Sequence, residues 1–146
     1  MTVKILLFIA GFILLIAIVI IFSLKKIIKK RLTNLKKRFN EYQIIEYERF
    51  ANCFGIKSKG YFQIRGNGIL ILTEKFLFFQ MLFPKKEILI SLSDIQKTEI
   101  SMSHQGKTKG RKLLKIGFTN DRKKMDSVAF LVSNLDIWYK KLKKIS

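Results

Sequence analysis

The chain has 146 residues, with 29 Lys and Arg against 10 Asp and Glu and a formal net charge of +19. A single cysteine excludes an internal disulfide, and with only one histidine beside it a zinc shell of those ligands is excluded too. Such a length holds one ordinary domain besides any membrane segment, and the positive balance favours anionic partners.

Ile5 to Leu24 is a run of 20 residues without a charge, with Ser23 its one polar side chain. A helix of that length spans roughly 30 Å, the thickness of a hydrocarbon core, and satisfies its own backbone groups in lipid. A secretory signal has a shorter apolar region and a small-x-small cleavage site. Ser23-Leu24-Lys25-Lys26 offers no such site. Residues 1–24 therefore read as an uncleaved transmembrane anchor.

The next 14 residues, Lys25 to Arg38, hold eight basic residues and no acid, among them Lys25, Lys26, Lys29, Lys30 and Arg31. This run resists translocation, whereas the N-terminal flank carries only Lys4 and the α-amine. The expected topology is a single pass through the inner membrane, with the N-terminus outside and the remainder cytoplasmic. Ile28, Leu32, Leu35, Phe39 and Tyr42 recur at helical spacing, which predicts an amphipathic juxtamembrane helix over residues 25–50. Its apolar stripe suits packing on the following domain, lying along the inner leaflet, or pairing with a second copy.

From Gly60 the pattern becomes short apolar runs between turn signals. Strands are predicted at 61–65, 69–73, 76–83, 88–92, 95–102, 113–118 and 125–131, the first two joined by Gly66-Asn67-Gly68 as a hairpin turn. Seven closely spaced strands indicate an antiparallel meander, a sandwich or a partly open barrel. Leu135, Trp138, Leu142 and Ile145 then fall at helical spacing. Ser133 and Asp136 approximate a capping box, lysines end the helix, and Trp138 is expected in the core.

Seven strands followed by a helix with an inward tryptophan resemble the pleckstrin-homology (PH) superfold. Gly68-Ile-Leu-Ile-Leu-Thr-Glu-Lys-Phe-Leu-Phe-Phe79 and Ile90-Ser-Leu-Ser-Asp-Ile95 resemble its GRAM branch. The resemblance covers about residues 51–144 and rests on scaffold positions. It implies a PH-like, seven-stranded, antiparallel, partly open barrel over residues 51–146, capped by the C-terminal helix. It also implies a module that binds phosphoinositide or other anionic lipid, or docks a peptide, and is not an enzyme. In lipid-binding members the cations lie along the first strand and the loop after it. Lys57, Lys59 and Arg65 stand near that region here, but Gly66-Asn67-Gly68 carries no basic residue.

The loop Ser103 to Lys112 offers a second candidate, because Lys107, Lys109, Arg111 and Lys112 can converge on an anion while Gly106 and Gly110 let the backbone turn. Arg122, Lys123 and Lys124 form a third basic cluster. Gly106-Lys107-Thr108 is not a phosphate-binding P-loop, since Ser101 stands where that pattern requires glycine. The ten carboxylates show no pairing suited to acid–base chemistry, and neither catalytic residues, metal nor cofactor are expected. The sequence thus predicts a membrane protein presenting a PH/GRAM-like module to anionic phospholipid or a membrane protein partner. The alternative is a scaffold that self-associates through the juxtamembrane helix. Nucleic acid is disfavoured, for no stacking motif of the RNA-binding type is found.

Overall fold

The computed structural model describes residues 2–40, 42–108 and 110–145. The chain divides into two units, Met1–Arg38 and Phe39–Ser146.

The first unit is one helix, α1 (Thr2–Arg38), of 37 residues. Apolar side chains from Val3 to Leu24 are exposed on all its sides, and the helix is long and apolar enough to cross a membrane. No proline interrupts it, so the basic run continues in helical form, and Lys36, Lys37 and Arg38 occupy the last turn, where cations suit the helix dipole.

The helix stops there, twelve residues short of the predicted end near residue 50. The Tyr42 amide donates to the Phe39 carbonyl at 3.0 Å, turning the chain, and Ile44–Ile56 is strand β1. The juxtamembrane helix over residues 25–50 is thus corrected. So is the first predicted strand, since Tyr61–Arg65 lies in a loop. The apolar stripe is divided as well: Phe39 and Tyr42 belong to the second unit, where both rings meet Phe76 at 5.0 Å and Phe39 also meets Phe78 at 4.9 Å.

The second unit contains β1, β2 (Gly66–Thr73), β3 (Phe76–Met81), β4 (Glu87–Ser91), β5 (Ile95–Ser101), β6 (Leu113–Thr119), β7 (Met125–Leu131) and α2 (Leu135–Ile145). The strands form one open antiparallel sheet in the order β4-β3-β2-β1-β7-β6-β5. Long β1 is central. Its first part pairs with β2 and its last residues with β7, with Cys53 facing Gly66 on one side and Phe130 on the other.

Alternation along the strands sorts the side chains to two faces. Leu70, Leu72, Leu77, Phe79, Leu114, Ile116, Val128 and Phe130 join Trp138 and Leu142 of α2 in the main core. Trp138 is only 2% exposed, as its spacing predicted. Phe54, Leu113 and Ala129, one position out of phase, form a smaller cluster with half-buried Leu131 on the opposite face.

Two local readings change. Asn67 and Gly68 do not form a turn but lie within β2, paired with Asn52 and Ala51, and the Asn52 Nδ2 donates to the Asn67 Oδ1 at 2.6 Å. A Cβ at Gly68 would collide with the Gln80 carbonyl oxygen and the Phe79 ring, so the glycine serves a close approach of β2 and β3. The Ser133 hydroxyl donates to Glu48 on β1 at 3.1 Å instead of capping α2, and the Trp138 amide finds the Asn134 carbonyl at 3.2 Å.

Candidate functional site

β1 ends in a single 3-10 turn, Lys57–Lys59, from which the chain loops back to β2. Asp126 at the start of β7 holds this turn. Its carboxylate accepts from the Ser58 amide at 3.0 Å, from the Ser58 hydroxyl, and from the Ser127 amide at 2.8 Å. Burial pushes the Asp126 carboxyl up, but these donors outweigh it and hold the group below the ordinary aspartate range. Lys57 and Lys59 are exposed on a turn that is fastened to the sheet.

The loop after the turn has an inside and an outside. Gln63 faces inward: its Nε2 donates to the carbonyls of Ile56 and Gly60, both at 2.6 Å, and its Oε1 accepts from the Ile56 amide at 2.7 Å. Gly55, with φ of +97°, leaves space for the Gln63 side-chain amide, which a Cβ would otherwise strike. Arg65 also faces inward. Its Nε donates to Phe54 O at 2.5 Å, and its two terminal nitrogens donate to Tyr61 O and Gln105 Oε1, both at 2.6 Å. Phe62 and Ile64 face outward, Phe62 being 99% exposed, Ile64 54% and neighbouring Tyr61 58%.

The β5–β6 loop, the second candidate of the sequence, is docked against this loop. His104 is 3% exposed, and its Nε2 lies 3.0 Å from the Gly55 carbonyl, which requires the proton on that nitrogen. Burial lowers the His104 pKa, and the hydrogen bond to Gly55 opposes this only in part, so the ring is neutral. Gln105 donates to the carbonyls of Ile56 at 3.2 Å and Lys57 at 3.0 Å. The reversal at Gln105 and Gly106, both with positive φ, brings Lys107 back to pair with His104. The Lys107 Nζ then stands 4.5 Å from the centroid of the Tyr61 ring, with the Arg65 guanidinium carbon 5.5 Å from the same ring.

The sequence candidates therefore separate. Lys57 and Lys59, exposed beside Tyr61, Phe62 and Ile64, and half-buried Lys107 belong to two loops that are joined to each other. Three of the five N–H donors of Arg65 are committed to two carbonyls and Gln105, which ties its guanidinium to the loop. Arg111 and Lys112 are exposed just before β6, and Lys109 lies outside the described residues. Lys25, Lys26, Lys29, Lys30 and Arg31 all lie on α1. Arg122, Lys123 and Lys124 lie in the β6–β7 turn, where Asn120 Oδ1 accepts from the Arg122 amide at 3.0 Å and the Lys124 amide at 3.1 Å.

A groove of about 600 Å³ lies between β4 and that turn. Lys59, Arg122 and Lys124 line it, but so do Glu87, Asp94, Asp121 and Asp126. Four carboxylates against three cations make it a poor place for a polyphosphate. Asp121 and Asp126 flank Arg122 and Lys124 in the sequence itself, whereas Glu87 and Asp94 are brought to the groove only by the fold. Sequence reasoning also missed Phe62 and the inward latches at Gln63 and Gln105. Tyr61-Phe62-Gln63-Ile64-Arg65 alternates as a strand does, and its outward residues carry no polar signal that distinguishes them from core.

No family model matches the chain, and no curated protein does. Among solved structures it is similar to a chain of one described as the 8S snRNP assembly intermediate. Identity there is 12% at a TM-score of 0.55, over 70% of this chain and 80% of that one. It is also similar to the C-terminal domain of an unknown protein from Leishmania infantum, at 15% identity and a TM-score of 0.52, over 77% and 94% of the two chains. Likeness at these identities concerns the fold alone.

Proposed function

We propose that the chain is a single-pass membrane protein whose second unit is a PH/GRAM-like binding module. Its N-terminus lies outside and the module in the cytoplasm, where it engages anionic lipid headgroups. The observation that carries this reading is the docking of two basic loops, distant in sequence, into one surface bearing Lys57, Lys59 and Lys107. Neither segment Lys57–Arg65 nor segment Met102–Lys112 contains an acidic residue; the Asp126 carboxylate that binds Ser58 and the acids of the groove that Lys59 lines come from other elements. Each exposed cation near an anionic leaflet contributes about 1 kcal/mol of attraction. Because α1 already holds the protein at a bilayer, such affinity orients the module more than it recruits it. Against the self-associating scaffold stands the engagement of Phe39 and Tyr42 with Phe76, which shortens the stripe available to a second copy.

The test uses the full chain in neutral nanodiscs, mixed at low salt with vesicles of phosphatidylcholine alone or with phosphatidylglycerol. Anionic vesicles should retain it at least tenfold better. Lys57→Glu, Lys59→Glu and Lys107→Glu combined should remove most of that preference. Equal retention on both vesicle types refutes the lipid reading.

A further inference from the structure

We propose that the Gly60–Ile64 loop is an insertion finger. Phe62, flanked by Tyr61 and Ile64, enters the interfacial layer of an anionic bilayer while Lys57, Lys59 and Lys107 meet its headgroups. This takes the nature of the surface from the lipid reading above and adds a separate, apolar mode of attachment.

Three features converge on the finger. The first is exposure: Phe62 stands 99% in solvent at the tip, with more than half of Tyr61 and Ile64 exposed beside it. Single exposed apolar residues are ordinary, but here three fall within four positions on a projecting loop.

The second feature is that the exposure is built in. Gln63 and Arg65 turn inward onto the carbonyls of Ile56, Gly60, Phe54 and Tyr61, and this alternation forces Phe62 and Ile64 outward. A loop so braced loses little conformational freedom on docking. Lys107 and Arg65 lie over the Tyr61 ring and further fix the root of the finger.

The third is charge. The two contributing loops carry cations and no carboxylate; the nearby acids, Glu87 beside Ile64 and Lys59 and Asp126 on Ser58, belong to the sheet. Aromatic side chains surrounded by lysines match the membrane interface, where rings settle at headgroup depth and ammonium groups find phosphate. An acidic protein groove would satisfy the lysines as well. The apolar N-terminal helix, fit to span a bilayer, favours the lipid surface as occupant. Burying a phenylalanine side chain is worth roughly ten- to a hundredfold in a partition constant, so the tip would contribute measurably to attachment.

The test places a reporter at the tip. Full-length Phe62→Trp protein is reconstituted into vesicles containing phosphatidylglycerol and a phosphatidylcholine brominated near the headgroup end of its acyl chains. Wild type, with Trp138 buried in the core, supplies the background. Because Phe62 touches solvent on nearly every side, the substitution leaves folding intact, and an unchanged melting temperature verifies it. Quenching at least twofold greater than in wild type, together with a blue-shifted emission and persistence in 0.5 M salt, supports insertion. Quenching no greater than wild type overturns it. If phosphatidylglycerol vesicles still retain the nanodisc-held protein in that case, the headgroup reading survives and only the finger falls; if they do not, both fall.

Discussion

The Arg65 guanidinium donates to the Gln105 side-chain oxygen at 2.6 Å, joining loops separated by 40 positions in sequence. The same guanidinium serves Phe54 O and Tyr61 O. Arg65→Met should therefore leave two carbonyls and an amide oxygen short of a donor, at a cost of about 1–3 kcal/mol. Arg65→Lys should recover less than half of that, because an ammonium cannot address three acceptors in a planar fork. Chemical denaturation of the two variants against wild type measures both effects.

His104 predicts a mild acid sensitivity. Its folded-state pKa is lowered by burial, so below the ordinary value of 6.5 the unfolded chain takes up a proton that the folded chain refuses. Stability attributable to this group is present above that value and declines as pH falls through the folded pKa. Melting temperature should drop between pH 7 and 5. His104→Gln should be less stable at pH 7 but flatter across this window. A wild-type profile as flat as that of the variant would contradict the assignment.

Much of the β domain is legible in the sequence alone. Six of its seven strands lie where alternation and turn residues put them, and α2 with its buried Trp138 follows from a change of period. The first strand was misplaced for a physical reason. Ile44-Ile-Glu-Tyr-Glu-Arg-Phe50 has no proline or glycine to separate it from the basic helix, and its pairing partners lie more than 20 residues ahead on β2, with Tyr47 opposite Ile71. Local propensity carries no record of such a partner. Asn67-Gly68 likewise looked like a turn because the signal for a turn and for a backbone close approach is the same residue. The site was legible only as scattered lysines. What gathers them is a set of side-chain to carbonyl bonds from Gln63, Arg65 and Gln105, and no periodicity encodes those.

Gly68→Ala tests the close approach directly. The added methyl meets the Gln80 carbonyl oxygen, which is backbone within the β2–β3 ladder, and the buried Phe79 ring. Neither yields without shifting the core, so a loss of about 1–3 kcal/mol is expected. Gly106→Ala is the control: nothing lies near its Cβ, so its cost is confined to the backbone strain of a positive φ, about 1 kcal/mol. Comparable losses in urea titrations of the two variants would argue that Gly68 is not pressed between the strands.

Asp126 connects stability to the proposed surface. It accepts two bonds from Ser58, the middle residue of the turn that carries Lys57 and Lys59. Asp126→Asn keeps the shape but replaces a charged acceptor with a neutral one. It should cost about 1–2 kcal/mol at pH 7. Because the Asp126 pKa is held below its ordinary 3.8, the wild-type advantage is present above that pH and fades as acid protonates the folded carboxyl. The two proteins should therefore converge in stability only at pH values below 3.8, as the folded carboxyl takes up its proton. Amide exchange at Ser58 should accelerate in Asp126→Asn at pH 7 while the amides of β2 and β3 stay protected. Unchanged exchange at Ser58 would mean that the turn is held by other contacts, and that the lysines beside it do not depend on Asp126.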